Sequence, residues 1–280
     1  TVESNMVTGD QTNFPVFVNL DDFPDSFFSG VQSDGDDIRI TSSDGVTELP
    51  YELVTIDTSA KTGELHFKAT VSSTTDSEFY FYYGNATSSG YSVSATYGRN
   101  NVWSNGFLAM YHLDQSPTST APQFIDSTGN NTGTAQNLEF ADRQTGLVGR
   151  AIDLDGTNEY MDTNFSRSMS TSTWSIWLNA DGAQAAYDGI LMSRGTLTHG
   201  ININSGTNRL GYHWRDAANT YSWNGGPIYP TSQWFMASLV IGSNNATMYQ
   251  HSPAGATSSV NTVTHAAATV DNLDIGQDNF

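Results

Sequence analysis

Gly146-Leu-Val-Gly-Arg-Ala-Ile-Asp-Leu-Asp-Gly-Thr-Asn-Glu-Tyr-Met-Asp162 carries the clearest local signal in the chain. Ala151-Ile152-Asp153-Leu154 alternates apolar with polar, the period of a half-buried strand. Asp155-Gly156 interrupts that period. Asp tolerates a left-handed backbone and Gly adopts one without steric cost, so the pair marks a tight turn. Glu159-Tyr-Met-Asp162 opens the next strand, and Gly146 and Gly149 flank Leu147-Val148 upstream. The stretch is therefore a strand–turn–strand unit, and the sequence on both sides continues in the same manner.

Downstream come Ser172–Leu178, Gly189–Ser193, Gly200–Asn204, Arg209–Trp214, Thr220–Trp223, Trp234–Ile241 and Ala246–Gln250. Each is short, apolar in alternation and bounded by Gly, Asn or Asp, as in two facing sheets. Upstream, Phe14–Leu20, Asp37–Ile40, Glu48–Ile56, Gly63–Val71 and Glu78–Tyr83 form five further expected strands. Gly63–Val71 is the cleanest, with Leu65, Phe67, Ala69 and Val71 on one face. Ala86–Ala95 is small and polar and reads as a linker running to about Asn101. Trp103–Asp114 is apolar on both parities, as a central strand would be. No stretch has helical periodicity. The expected fold class is all-β: a small sandwich over 1–98, then a second sandwich over 99–280.

Two resemblances sharpen this division. Gly146–Asp162 resembles the core signature of laminin-G-like, concanavalin A-like jelly rolls of bacterial surface proteins. Phe14-Pro-Val16, Asp34–Ile40, Ser43-Asp-Gly45, Leu49-Pro-Tyr-Glu52 and Tyr82-Tyr-Gly-Asn85 resemble, in that order, an uncharacterised extracellular β-domain family. That family commonly precedes laminin-G-like domains. By the jelly-roll resemblance, one more aliphatic strand should follow Ile275–Phe280, so the second domain is expected to lack its last strand, and a neighbouring subunit could complete the sheet edge.

At 280 residues, with 10 Lys+Arg against 29 Asp+Glu, the formal charge is −19. Nucleic-acid affinity rests on Lys and Arg neutralising phosphates, so a nucleic-acid partner is excluded as an expectation. Charged residues make up only 14%, so Ser, Thr, Asn and Gly must supply most of the polar surface. With no cysteine there is no disulfide and no thiolate metal site. No apolar run approaches the roughly 20 residues of a membrane helix, so insertion is not expected.

The oxygen-rich loop Asp126-Ser-Thr-Gly-Asn-Asn131 is the metal candidate, with Asp126, Gly129 and Asn131 as ligands. Ca²⁺ takes about six to eight oxygens, and glycine allows the chain to wrap. By the jelly-roll resemblance such a loop binds a structural Ca²⁺; the alternative is a polar turn bonded to its own backbone. Asp34-Gly-Asp-Asp37 has similar composition and reads as a turn. His66, His112, His199, His213, His251 and His265 have no paired ligand spacing and read as ordinary strand or loop residues.

Concanavalin A-like folds also host glycoside hydrolases, which need two carboxylates across the scissile bond. Asp153 and Asp155 alternate, but the turn already accounts for Asp155, and no catalytic residue is assigned. Tyr212, Trp214, Tyr221 and Trp223 are the expected ligand-binding residues. They pair across an apparent hairpin loop, Arg215–Asn219, as a platform for sugar rings or apolar side chains. The expected function is an extracellular or cell-surface recognition and adhesion module without enzymatic activity, whose partner is a glycan or a cell-surface protein. The alternatives are a structural subunit of a virion fibre, decoration or surface filament, and a glycan-active enzyme of the same fold.

Overall fold

The computed structural model describes residues 1–204 and 208–278. The fold is all-β, with two short α-helices among the described residues. It divides into two compact units: Thr1–Gln115 with Ile125–Asn131 and Val148–Ala151, and Ser116–Phe124 with Thr132–Leu147 and Ile152–Phe280.

The first unit contains β1 (Gln11–Asn19), β2 (Arg39–Ser42), β3 (Tyr51–Asp57), β4 (Thr62–Val71) and β5 (Phe79–Tyr82). β4 lies between β1 and β3, antiparallel to both, and β2 pairs with β5. Side chains alternate across a strand, so Leu65, Phe67, Ala69 and Val71 share one face of β4. They are buried with Val16, Leu20, Ile38 and Ile40. Phe27 and Phe28 join this core from α1 (Asp25–Gly30). A six-residue helix is too short to leave a helical period in the sequence, which is why none was expected.

Residues 86–101, expected as a linker, are instead fastened to the first unit. Tyr91 Oη donates to Glu48 Oε1 at 2.8 Å, the Arg39 guanidinium lies 4.4 Å from the Tyr91 ring centroid, and Arg39 Nη2 donates to Ser89 O at 2.9 Å. Trp103–Asp114, expected as a central strand, forms only an isolated bridge from Tyr111 to Asp126. Its apolar residues on both parities serve a wrapped segment, not a strand.

The remaining strands are β6 (Thr134–Gln136), β7 (Arg143–Thr145), β8 (Arg150–Ile152), β9 (Tyr160–Asp162), β10 (Arg167–Met169), β11 (Ser172–Asn179), β12 (Gly189–Arg194), β13 (Thr198–Ile203), β14 (Leu210–Trp214), β15 (Trp234–Ile241), β16 (Ala246–Ser252), β17 (Gly255–Asn261), β18 (Ala268–Val270) and β19 (Leu273–Ile275). Two sheets dominate the second unit: four strands in the order β11-β15-β16-β17, and six in the order β14-β13-β12-β19-β9-β6. Trp174, Phe235, Ala237, Leu239 and Met248 of the first sheet are buried, as are Met192, Ile201, Leu210 and Tyr212 of the second. Asn261 of β17 donates to Tyr212 Oη of β14 at 2.8 Å, which bonds one sheet to the other. The last strand among the described residues, β19, sits inside the six-stranded sheet between β12 and β9.

The stretch 146–162 forms β8, a turn and β9. Gly156 has φ +73°, Asp155 Oδ1 accepts from Thr157 N at 2.7 Å, and Asp155 N donates to Glu159 Oε2 at 2.7 Å. No helix among the described residues is long and apolar enough to cross a membrane.

Candidate functional site

The expected aromatic hairpin does not form. β14 is followed by α2 (Ala218–Tyr221), whose first turn is fixed by Thr220: its Oγ1 accepts from Trp214 N at 3.0 Å and donates to Ala217 O at 2.8 Å. Tyr212 and Trp214 point into the core, only 1% and 2% exposed. Their polar tips are satisfied there, Tyr212 Oη with His265 Nε2 at 3.0 Å and Trp214 Nε1 donating to Ala266 O at 2.8 Å. Trp223 packs edge-on to Tyr212 at 5.6 Å and is half-buried; Tyr221 is 38% exposed but stacks on His213 at 5.7 Å. A period of two gave the right face for Tyr212 and Trp214, but it could not say that the face pointed inward.

The Asp126 loop is a carboxylate-organised turn. Asp126 Oδ1 accepts from Met110 N and Thr128 N, both at 2.9 Å. Oδ2 accepts from Thr128 Oγ1, Asn130 N, Asn131 N and Asn131 Nδ2 at 2.6 to 3.3 Å. A carboxylate offers about four lone-pair sites, so these donors saturate it. Asn131 O accepts from Tyr111 Oη at 2.5 Å, and the loop's own N–H groups surround the carboxylate where a cation would stand. As arranged, Asp126, Gly129 and Asn131 do not fit Ca²⁺. The acidic run Asp34–Asp37 is likewise a turn: Asp37 is buried and accepts from Gln32 N, Gly84 N and Asn85 N.

The outer face of the four-stranded sheet is a different surface. Strand register sets Trp177, Met236, His251 and Ala256 in one row and Ser175, Ser238, Tyr249 and Ser258 in the next. Thr173, Val240, Thr247 and Val260 form a third row, while Asn179 pairs with Trp234 at the other end. Trp177 is 45% exposed, Trp234 and Met236 are half-buried, and the Tyr249 and His251 rings stack at 6.0 Å. None of these fourteen residues is Asp, Glu, Lys or Arg, on a chain of formal charge −19.

A buried charged cluster occupies the other face of β4. Glu64 and His66, two residues apart, share that face, and the β3–β4 register sets Glu52 opposite His66. The segment 103–114 carries His112 onto them. His112 Nδ1 lies 3.1 Å from Glu64 Oε1, His112 Nε2 lies 3.1 Å from Glu52 Oε2, and His66 Nε2 lies 2.9 Å from Glu64 Oε1. Trp103 Nε1 and Ser127 Oγ each donate to Glu52 at 2.5 Å. Burial alone would lower His112, but its bonds to both carboxylates and their charges outweigh this and lift it to about 9. Burial alone would raise Glu64, and its bonds to His112 and His66 pull it down to about 2. The sequence shows no paired ligand spacing among the histidines and reads each as an ordinary strand or loop residue; His66 and His112 instead converge, with ring centroids 4.8 Å apart. Glu64-Leu-His66 was visible as a same-face pair, but nothing local points to residues 52 and 112.

Residues 34–121 match the family described as a domain of unknown function, DUF2341. Glu52, Glu64, His66 and His112 all lie within the matched segment. Among solved structures, the chain is similar to domain 4 of AbnA, a GH43 extracellular arabinanase from Geobacillus stearothermophilus, in complex with arabinotriose. The identity is 17% over 54% of this chain and 82% of that one, with a TM-score of 0.35. No curated protein matches the chain.

Proposed function

We propose that this chain is an extracellular or cell-surface recognition module, not an enzyme, and that it takes a neutral glycan on the outer face of its four-stranded sheet. The observation that carries this reading is the uncharged aromatic and hydroxyl surface around Trp177. Trp177 and Trp234 stand diagonally across β11 and β15, close enough for large side chains to form one surface. Flat aromatic faces stack on the apolar faces of sugar rings, while the exposed Ser258 and Asn179 offer hydrogen bonds around them, and Ser175 and Ser238 bond to each other at 2.8 Å. The lack of charge favours a neutral polyol over an acidic or basic partner. The two-unit, all-β organisation and the DUF2341 match fit a surface protein, and the jelly-roll resemblance of residues 146–162 fits a binding scaffold.

The test is a glycan array probed with the full chain, followed by calorimetry with the best ligand. Trp177→Ala should weaken binding at least tenfold, the loss expected when a central aromatic anchor is removed. If Trp177→Ala and Trp234→Ala bind as the parent does, the face is not the site. Binding of a protein ligand, and of no glycan, would replace the glycan with a polypeptide partner.

A further inference from the structure

We propose that Glu64, His66 and His112 form a site for a divalent transition metal, with Zn²⁺ as the ion it suits best, and that Glu52 orients His112 within it. One donor atom from each of the three side chains lies within 4.8 Å of the other two. With zinc–nitrogen and zinc–oxygen bonds of about 2.0–2.1 Å, the edges of a tetrahedral site are about 3.3 Å. Glu64 Oε1 is already 2.9 Å from His66 Nε2 and 3.1 Å from His112 Nδ1, so these two edges need spread only a few tenths of an ångström, and the two imidazole nitrogens, within 4.8 Å of each other, close onto the ion by turning their rings.

The surroundings match what such a site needs. A metal-ligating imidazole ordinarily gives its other ring nitrogen to a carboxylate, which fixes its orientation. Glu52 stands at His112 Nε2, opposite the nitrogen that faces Glu64, and is itself held by Trp103 and Ser127. Glu64 and His66 sit on β4, paired on both sides, so their positions are set by sheet register and not by a loop. The backbone of Gly149 passes close beside the far oxygen of Glu64: a β-carbon at that glycine would lie 2.1 Å from Glu64 Oε2. The three side chains are only 5 to 9% exposed. Two imidazoles and one carboxylate suit Zn²⁺ and its transition-metal neighbours, whereas Ca²⁺ and Mg²⁺ require mostly oxygen. Three protein ligands leave a fourth position on the ion, which a water can take.

The experiment uses untagged full-length chain. It is unfolded with chelator, refolded with and without Zn²⁺, and examined by elemental analysis and thermal melting. The expected result is one zinc per chain, a higher melting temperature with Zn²⁺ than without, and no rise with Ca²⁺ or Mg²⁺. His66→Gln and Glu64→Gln should each weaken zinc binding at least 100-fold, and Glu52→Gln by roughly 10- to 100-fold, as expected of an orienting partner. Should these variants not fold, Co²⁺ loaded into the unaltered chain decides instead. A true site gives visible d–d bands and paramagnetically shifted ring resonances from two histidines. A chain that takes up less than a tenth of an equivalent of zinc, or a Co²⁺ adduct without two shifted histidines, overturns the proposal. So does zinc retained in full by a folded His66→Gln/His112→Gln double variant.

Discussion

Lowering the pH from 7 to 4 should destabilise the second unit through His213. Its ring is buried between Tyr221, stacked at 5.7 Å, and Tyr187, edge-on at 6.4 Å. Neither ring nitrogen has a hydrogen-bond partner among the described residues. Burial is the main cause that holds the folded histidine down to about 4, against an ordinary 6.5. The nearby charges are mixed: Arg194 and His199 push it lower, and Asp278 and Asp216 push it higher. A base depressed in the folded state is neutral there while the unfolded chain already takes up a proton. Stability is therefore intact above about pH 6.5 and falls as the pH drops towards 4. Linkage across that window gives a loss of about 2 kcal/mol by pH 5 and about 3 kcal/mol by pH 4. Urea unfolding followed by tryptophan fluorescence at pH 7, 5 and 4 would measure it, with His213→Phe as the reference. Phe retains the stack on Tyr221 and cannot titrate, and other acid-sensitive groups cancel in the difference between the two proteins. If parent and variant lose stability in parallel from pH 7 to 4, the buried ring is not what makes the unit acid-labile.

Three further outcomes follow from single contacts. Asp126→Ala strands the N–H groups of Met110, Thr128, Asn130 and Asn131 around an empty position and should cost roughly 3–5 kcal/mol in denaturant unfolding, with Ca²⁺ neither preventing nor reversing the loss. Gly149→Ala puts a β-carbon against Glu64 Oε2 at a residue with φ +56°; a loss of about 1–3 kcal/mol in the first unit is expected, and a neutral substitution would mean that Glu64 yields freely. Trp103→Phe keeps an aromatic ring, though a smaller one, and removes the donor to Glu52; it should cost about 1.5–3 kcal/mol, read from the thermal midpoint.

Much of the fold was legible locally. The alternation in Gly63–Val71 placed Leu65, Phe67, Ala69 and Val71 on one buried face, and Asp155-Gly156 formed the turn it announced. Strand period and turn chemistry are properties of a few consecutive residues, so they survive in the linear order. The segment 103–114 defeated the same method, because apolar residues on both parities describe a central strand and a wrapped segment equally well.

The chain's residue order alone determined an all-β protein poor in charge, uneven in sign and free of cysteine. Tertiary structure decided where chemistry could gather. Glu52, Glu64, His66 and His112 come from β3, β4 and a segment beyond the expected domain boundary, and only strand register and the wrap of residues 103–114 bring them together. Trp177 and Tyr212 are both aromatics on alternating strands, yet one faces outward and the other bonds Asn261 in the core. A period of two separates the faces of a strand but is symmetric between them. Only the packing of one sheet on another breaks that symmetry.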